Sequence, residues 1–327
     1  MEASKSLELK NKSIKKITLE LLLGLFSFVL PLVLLLIIFA VNKIHPFGNN
    51  TIVMIDMKSQ YITYIRYYKG ILSGDNSLIY TMSKVFGGDF MSIFTYYLAS
   101  PFNLLVAFFT LENIPDFFIL INLLKMCFAG LNMYLLLRFV NKKPKLHYLL
   151  FAVAYSLMSY SIIYISNYMW LDGVMILPLI ILGLLKLEEG KYYWIYFLAL
   201  GYALFSNWYI GAIICIFVVL FFAYRFFSMR TSFKERLPFI LRFFIFSLIA
   251  GLIASISWVT AFSHFGGTKA NFSFSDFKTY DFVMVLAGFL ENNFYDSGSI
   301  AINSGYMTFL KSKGMCRDME CLLWETW

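Results

Sequence analysis

The chain has 327 residues, 60% hydrophobic and 14% charged, with a mean hydropathy of +0.72 and a formal charge of +8 at pH 7. Soluble domains carry roughly 25% charged residues, so the composition excludes a soluble enzyme and gives an all-α polytopic membrane protein. Continuous Leu-, Ile- and Phe-rich runs also exclude a β-barrel, whose strands alternate apolar and polar residues.

In chain order, Leu19–Ala40 is a near-unbroken apolar run, and a bilayer crossing needs about 20 such residues. It exceeds the roughly 7–15 residues of a signal-peptide apolar region, and no small-x-small cleavage pattern follows it. It therefore reads as a retained helix. A polar stretch of about 41–115 comes next, carrying Asp56, Lys58, Gln60, Tyr61, Arg66, Lys69, Asp75, Lys84 and Asp89 among aromatics and glycines.

Inside this first loop, Tyr61, Tyr64, Ile65, Tyr68, Ile71 and Leu72 recur at helical spacing, which predicts an amphipathic helix over Asp56–Leu72 lying in the headgroup plane. Gly74-Asp75-Asn76 and Gly87-Gly88-Asp89 read as turns. A second interfacial helix is expected over Phe90–Ala99, stopped at Ser100-Pro101. Further spans are predicted at about 116–138, 147–165, 174–187, 192–206, 209–228 and 239–262, making seven in all. The fourth and fifth are short for a hydrocarbon core of about 30 Å.

Residues 1–262 thus form a transmembrane module, and 263–327 an extracytoplasmic segment. After about Gly305 the periodic pattern gives way to MTFLKSKGMCRDMECLLWETW, which reads as a truncated or altered C-terminus.

The positive charge reports topology rather than nucleic-acid binding. Lys5, Lys10, Lys12, Lys15 and Lys16 precede the first span, and Arg138, Lys142, Lys143 and Lys145 follow the second. Lys186 and Lys191 bracket a later loop, and Arg225, Arg230, Lys234, Arg236 and Arg242 another. These are alternate loops, as the positive-inside rule requires of cytoplasmic segments. The N-terminus is then cytoplasmic, and the segments 41–115, 166–173 and 206–209 face outside. The loops Ser166–Gly173 and Ser206–Tyr209 hold no Lys or Arg.

Asp56 is the leading candidate for chemistry. A glycosyl transferase working on a lipid-linked sugar needs a carboxylate near the interface to take a proton from the acceptor hydroxyl. The competing explanation is that Asp56 is only an N-cap before a helical pattern. Arg66, Lys69 and Lys84 could neutralise a leaving phosphate, although interfacial helices routinely offer such cations to headgroups.

Asp172, in Tyr168-Met169-Trp170-Leu171-Asp172-Gly173, is costly at a span end unless paired or solvated. Together with Gln60, Tyr61, Asp89, Trp170 and Asn207 it is expected to line one cavity. Lys125 falls inside a span, one turn from Asn122, and either pairs with a carboxylate across the bundle or snorkels outward.

His45, His147 and His264 are scattered, and Cys127, Cys215, Cys316 and Cys321 lack metal spacing. No cofactor is required by this chemistry; a divalent metal held by Asp56, Asp89 and Asp172 stays open. The absence of a GxxxxGK[ST] loop argues against ATP-driven transport.

The runs Asp56-Met-Lys-Ser-Gln60-Tyr61, Gly87-Gly88-Asp89-Phe90 and Tyr96-Tyr97-Leu98-Ala99-Ser100-Pro101-Phe102-Asn103-Leu104 resemble the first loop of YfhO-type bacterial membrane proteins. Met169-Trp170-Leu171-Asp172 with Leu177-Pro178-Leu179, and Phe205-Ser206-Asn207-Trp208-Tyr209-Ile210-Gly211, fit the same family.

The resemblance implies a GT-C-like helical bundle with its active site on the long first extracytoplasmic loop. It implies transfer of a sugar from an undecaprenyl-phosphate carrier onto a cell-envelope polymer such as lipoteichoic acid. It carries the catalytic carboxylate over to Asp56 alone. The implied partners are the lipid bilayer, the polyprenyl-phosphate sugar donor, the polymer acceptor and a membrane synthase that charges the carrier. Family members are longer than this chain. The competing functions are a transporter or flippase for a lipid-linked substrate, using Asp172 and Lys125 along a pathway, and a non-catalytic assembly partner.

Overall fold

The computed structural model describes residues 2–84 and 87–265. The predicted extracytoplasmic segment after 265 and the unusual composition beyond Gly305 lie outside the described residues. The described chain is helical almost throughout, with a single two-stranded hairpin of β1 (Tyr80–Thr81) and β2 (Gly88–Asp89).

Helix α1 (Glu2–Val41) carries its apolar stretch over Ile17–Val41. Those 25 residues span about 38 Å at ~1.5 Å per residue, enough to cross a bilayer. The loop that follows builds a π-turn (Met57–Tyr61) leading into α2 (Ile62–Ser73), which ends where Gly74 turns left-handed at φ 86°. After the hairpin come α3 (Met91–Ile93), a second π-turn (Phe94–Leu98) and a 3-10 helix (Pro101–Phe108).

The rest is α4 (Ile114–Asn141), α5 (Tyr148–Ser156), α6 (Ser159–Ile163), α7 (Leu171–Glu188), α8 (Tyr193–Ser206), α9 (Trp208–Ser228), α10 (Phe233–Ile253) and α11 (Ser255–Phe265). Local chemistry sets several of these ends. Pro115 sits in the first turn of α4, where its missing N–H costs nothing. Asn207 caps α9 by accepting from the Ile210 N–H at 2.8 Å, and Ser232 with Glu235 forms a capping box on α10.

Among the described residues, four helical segments are long and apolar enough to cross a membrane, Ile17–Val41, α4, α9 and α10, or five if the bent pair Met91–Leu98 and Pro101–Phe108 forms one span. The seven expected spans are therefore not confirmed. The segment expected at 147–165 divides into α5 and α6, because Leu157 and Met158 leave helical geometry. Helix α8 has 14 residues, about 21 Å of helix against a core of about 30 Å. Helix α7 carries Asp172 in its first turn and Lys186 in its last. The 239–262 segment is interrupted at Ala254, and its helix begins earlier, at Phe233.

The first loop also differs from its amphipathic expectation. Met57, Tyr61, Ile65 and Tyr68 turn inward against Val106, Ile114, Phe117, Phe118 and Ile121, so their apolar face is covered by protein rather than lipid. The Phe90–Ala99 segment is not one flat helix. Residues Met91–Leu98 and Pro101–Phe108 meet at 95°, the geometry of a broken span or re-entrant loop.

The bundle has two chemically distinct ends. At one, Glu20 pairs with Arg138 at 2.5 Å, Arg225 grips both oxygens of Glu188, and the Lys186 ammonium sits 3.9 Å from the Phe139 ring centre. At the other, the first loop meets the turn before α7 and the α8–α9 break through Tyr61, Tyr96, Tyr97, Tyr168 and Asn207.

Small residues let the helices close up. A Cβ added at Gly130 would stand 2.6 Å from the Ser27 carbonyl oxygen, and one at Gly183 would stand 2.5 Å from the Tyr196 Cα. Both obstacles are backbone and cannot rotate away. Gly183→Val should lower the thermal midpoint of the purified protein and cost about 1–3 kcal/mol from overpacking. Gly251→Val, where nothing lies within 4 Å of the added Cβ, should melt as wild type. Equal melting of the two variants in a size-exclusion thermal-shift assay would refute the close α7–α8 crossing.

Candidate active site at the aromatic end

Asp56 sits at a strained point of the chain. Ile55, just before it, is held at φ 49°, a left-handed conformation that a β-branched residue pays for heavily. Strain of this kind costs on the order of 1–3 kcal/mol and persists only where its surroundings enforce it. Here Ile52, Val53 and Met57 are buried on either side and fix the chain path. The π-turn Met57–Tyr61 follows at once, and such turns recur at functional sites.

The N-cap alternative finds no support. Asp56 has helical dihedrals and its side chain makes no capping hydrogen bond. Its carboxylate is exposed.

Tyr61, Tyr64, Tyr96 and Tyr97 all lie within electrostatic reach of Asp56. Burial, and then the Asp56 charge, push the Tyr61 and Tyr64 phenols above their ordinary value, so both remain protonated donors at neutral pH. Tyr61 donates to Asn167 Oδ1 at 3.0 Å. Gln60 is half-buried in the same π-turn. The second π-turn brings Tyr97 within 5.2 Å of the Tyr61 ring and 5.1 Å of the Tyr64 ring.

The three candidate cations occupy other positions. Arg66 donates to the Leu111 carbonyl at 3.4 Å, and Lys69 to those of Ala107 and Val106 at 3.2 and 3.5 Å. Lys69 thus reaches the C-terminal end of the 3-10 helix, where carbonyls concentrate negative charge, and Arg66 reaches the loop just after it. Lys84 donates to the Asp89 carbonyl at 2.8 Å within the hairpin. Asp89 accepts from the backbone N–H groups of Met91 and Ser92, which fixes the start of α3.

Trp170 and Asn207 both engage the second π-turn. The Trp170 indole donates to the Tyr96 hydroxyl at 3.4 Å, and the Asn207 amide to the Tyr96 carbonyl at 2.8 Å. Two loops distant in sequence therefore converge on one tyrosine.

Asp172 is not exposed to a cavity. It and Lys125 are both fully buried and form an ion pair of 2.6 Å between α7 and α4. Its other carboxylate oxygen accepts from Ser100 at 2.7 Å and from Tyr202 at 2.5 Å, and Lys125 also donates to the Tyr168 carbonyl at 2.9 Å. Of the two fates open to Lys125, pairing wins over snorkelling.

The roles of Ser100, Tyr202, Tyr168, Tyr96 and Tyr97 were not separable in the sequence. Their only signal was position: Ser100 marks the elbow, and the other four sit beside residues already singled out or inside a span. Among the described residues, no three His, Cys, Asp or Glu side chains gather as a potential metal group, so Asp56, Asp89 and Asp172 do not form one. Cys127, buried, and Cys215, half-buried, are free thiols.

The family model described as "Bacterial membrane protein YfhO" matches residues 27–310. This chain belongs to the YfhO family. The YfhO match begins within α1 and takes in the whole first loop, the turn before α7 and the α8–α9 break, so every residue of this candidate site lies inside it. Neither the curated proteins nor the solved structures return a match.

The buried pair makes a definite prediction. Asp172→Ala strands the Lys125 charge and should cost about 3–5 kcal/mol, read as a large drop in thermal midpoint. The double variant Lys125→Met/Asp172→Leu should recover most of that loss, because it removes both charges. A double variant no better than the single one would contradict a paired network.

Proposed function

We propose that this YfhO-family chain is an extracytoplasmic glycosyltransferase. It takes a sugar from an undecaprenyl-phosphate carrier and moves it onto a cell-envelope polymer such as lipoteichoic acid. The observation that carries the proposal is the presentation of Asp56. It is an exposed carboxylate on a strained backbone, flanked by a π-turn and within electrostatic reach of four tyrosines, at the end of the bundle opposite the Glu20–Arg138 and Glu188–Arg225 pairs. By the positive-inside rule that end faces outward and the N-terminus inward.

The chemistry follows from this arrangement. The Asp56 carboxylate takes the proton of an acceptor hydroxyl as its oxygen bonds to the anomeric carbon. The bond from that carbon to the carrier phosphate breaks, and the phosphate leaves with the bonding pair. Arg66, Lys69 and Lys84 are the first-loop cations assigned to receive it. The contacts of Arg66 and Lys69 to carbonyls are long at 3.2–3.5 Å, so exchanging them for phosphate oxygens costs little.

Nucleotide sugars are cytoplasmic, so a membrane synthase must charge the carrier on the inner face. The GT-C-like assignment of the bundle rests on the same placement of the carboxylate in the first loop. A flippase pathway through Lys125 and Asp172 draws no support from a pair that is fully buried and tied to Ser100, Tyr202 and the Tyr168 carbonyl.

Asp56→Asn should reduce transfer from radiolabelled undecaprenyl-phosphate sugar in membranes by about 10²–10⁴-fold, the usual contribution of a general base. Its expression and thermal midpoint should match wild type, since the Asp56 side chain makes no capping bond. A well-folded Asn variant with full activity would rule out the base assignment.

A further inference from the structure

A continuous rail of aromatic rings leads away from Asp56 and crosses three separate chain segments. It starts at Tyr64 on α2, passes to Tyr97 at 5.1 Å between ring centres, and on to Tyr96 at 4.5 Å. From there it reaches Tyr209 at 6.3 Å, Trp170 at 6.4 Å and Tyr164 at 5.1 Å. Tyr64, Tyr96, Tyr97, Tyr164 and Trp170 are half-buried, and Tyr209 is exposed.

Interfacial aromatics that serve only to anchor a protein in lipid form a belt around its perimeter. These rings do the opposite. They converge on one path from the first loop, the turn before α7 and the start of α9. The path is held by side chains that are themselves buried: Asn207, 1% exposed, bonds the Tyr96 backbone, and Tyr168, 0% exposed, donates to the Tyr97 carbonyl at 2.8 Å.

We infer that this rail is a saccharide-binding platform for neutral hexopyranose rings, with Tyr96, Trp170 and Tyr209 as its central contacts. The inference deepens the transferase proposal by assigning where the sugar lies and what kind of sugar it is. A pyranose offers one face of axial C–H bonds, which packs on the electron-rich face of an aromatic ring. Its hydroxyls at the rim meet phenol and indole donors. Asp56 at one end of the rail disfavours a uronic or otherwise anionic ring by like-charge repulsion. The sugar can be that of the lipid donor or a residue of the acceptor polymer, and binding measurements distinguish the two.

Binding should be measured on the full chain in nanodiscs in an Asp56→Asn background, where transfer is suppressed. Failure of the platform then leaves the base assignment untouched, and the reverse also holds. The probes are tritiated undecaprenyl phosphate carrying glucose, galactose or N-acetylglucosamine, the same lipid without sugar, and a neutral hexose-bearing polymer.

If the rail holds the donor sugar, at least one sugar-bearing lipid binds ten-fold or more tightly than the bare lipid. Trp170→Ala and Tyr209→Ala abolish that difference while bare-lipid binding stays unchanged. If it holds the acceptor, the lipids bind alike, and the same variants lose retention of the polymer in affinity electrophoresis. Trp170→Phe should restore either preference. The platform is overturned if no probe shows a sugar preference, or if Tyr209→Ala, an exposed site, leaves every preference intact.

Discussion

The architecture turns on two opposite charges buried where charge is most expensive. Lys125 and Asp172 meet in the interior of the bundle, and each makes further hydrogen bonds to other parts of the chain. Through Asp172 the pair holds Ser100, the elbow at which the first loop bends by 95°. Through Lys125 it holds the Tyr168 carbonyl, in the turn that carries Trp170. Apolar side chains of the same volume could replace the pair with little loss of stability. They could not dictate which loop docks on which helix, and that directional demand is what a hydrogen-bonded ion pair supplies.

From that fixed elbow the aromatic end follows. The second π-turn is anchored at its Tyr96 carbonyl by Asn207 and at its Tyr97 carbonyl by Tyr168. The first π-turn, pressed against it by the Tyr61–Tyr97 contact, begins directly after Asp56, the residue that carries the exposed carboxylate. Strain at Ile55 is tolerated because buried neighbours on both sides over-determine the chain path. Rigid packing below and a solvent-facing acid above is the arrangement a general base requires.

Some of this was legible in the sequence. A lysine in an apolar helix and an aspartate at a span end each demand compensation, so Lys125 and Asp172 stood out without a partner being named. The contrast between basic loops and the 166–173 and 206–209 loops, which hold no Lys or Arg, anticipated the two unlike ends. Tyr202 could not be picked from 22 tyrosines, because its role depends on a helix crossing rather than on its neighbours.

The breaks at Leu157 and Ala254 were hidden by apolar composition that runs straight through them. The π-turns were hidden as well, since one extra residue per turn only blurs a helical repeat. Arg66 and Lys69 carried the charge expected of phosphate ligands, yet in this conformation they serve carbonyls of a 3-10 helix and of the loop after it. Short-range pattern does not reveal where a long flexible cation will reach.

The most direct test of the account is the side of the membrane on which position 56 lies. Asp56→Cys, in a background with all four native cysteines replaced, should react with a membrane-impermeant maleimide in intact cells. A cysteine introduced near Arg138 should react only after permeabilisation. Labelling of position 56 confined to permeabilised cells would place the carboxylate with the nucleotide sugars, and the proposed extracytoplasmic transfer could not stand.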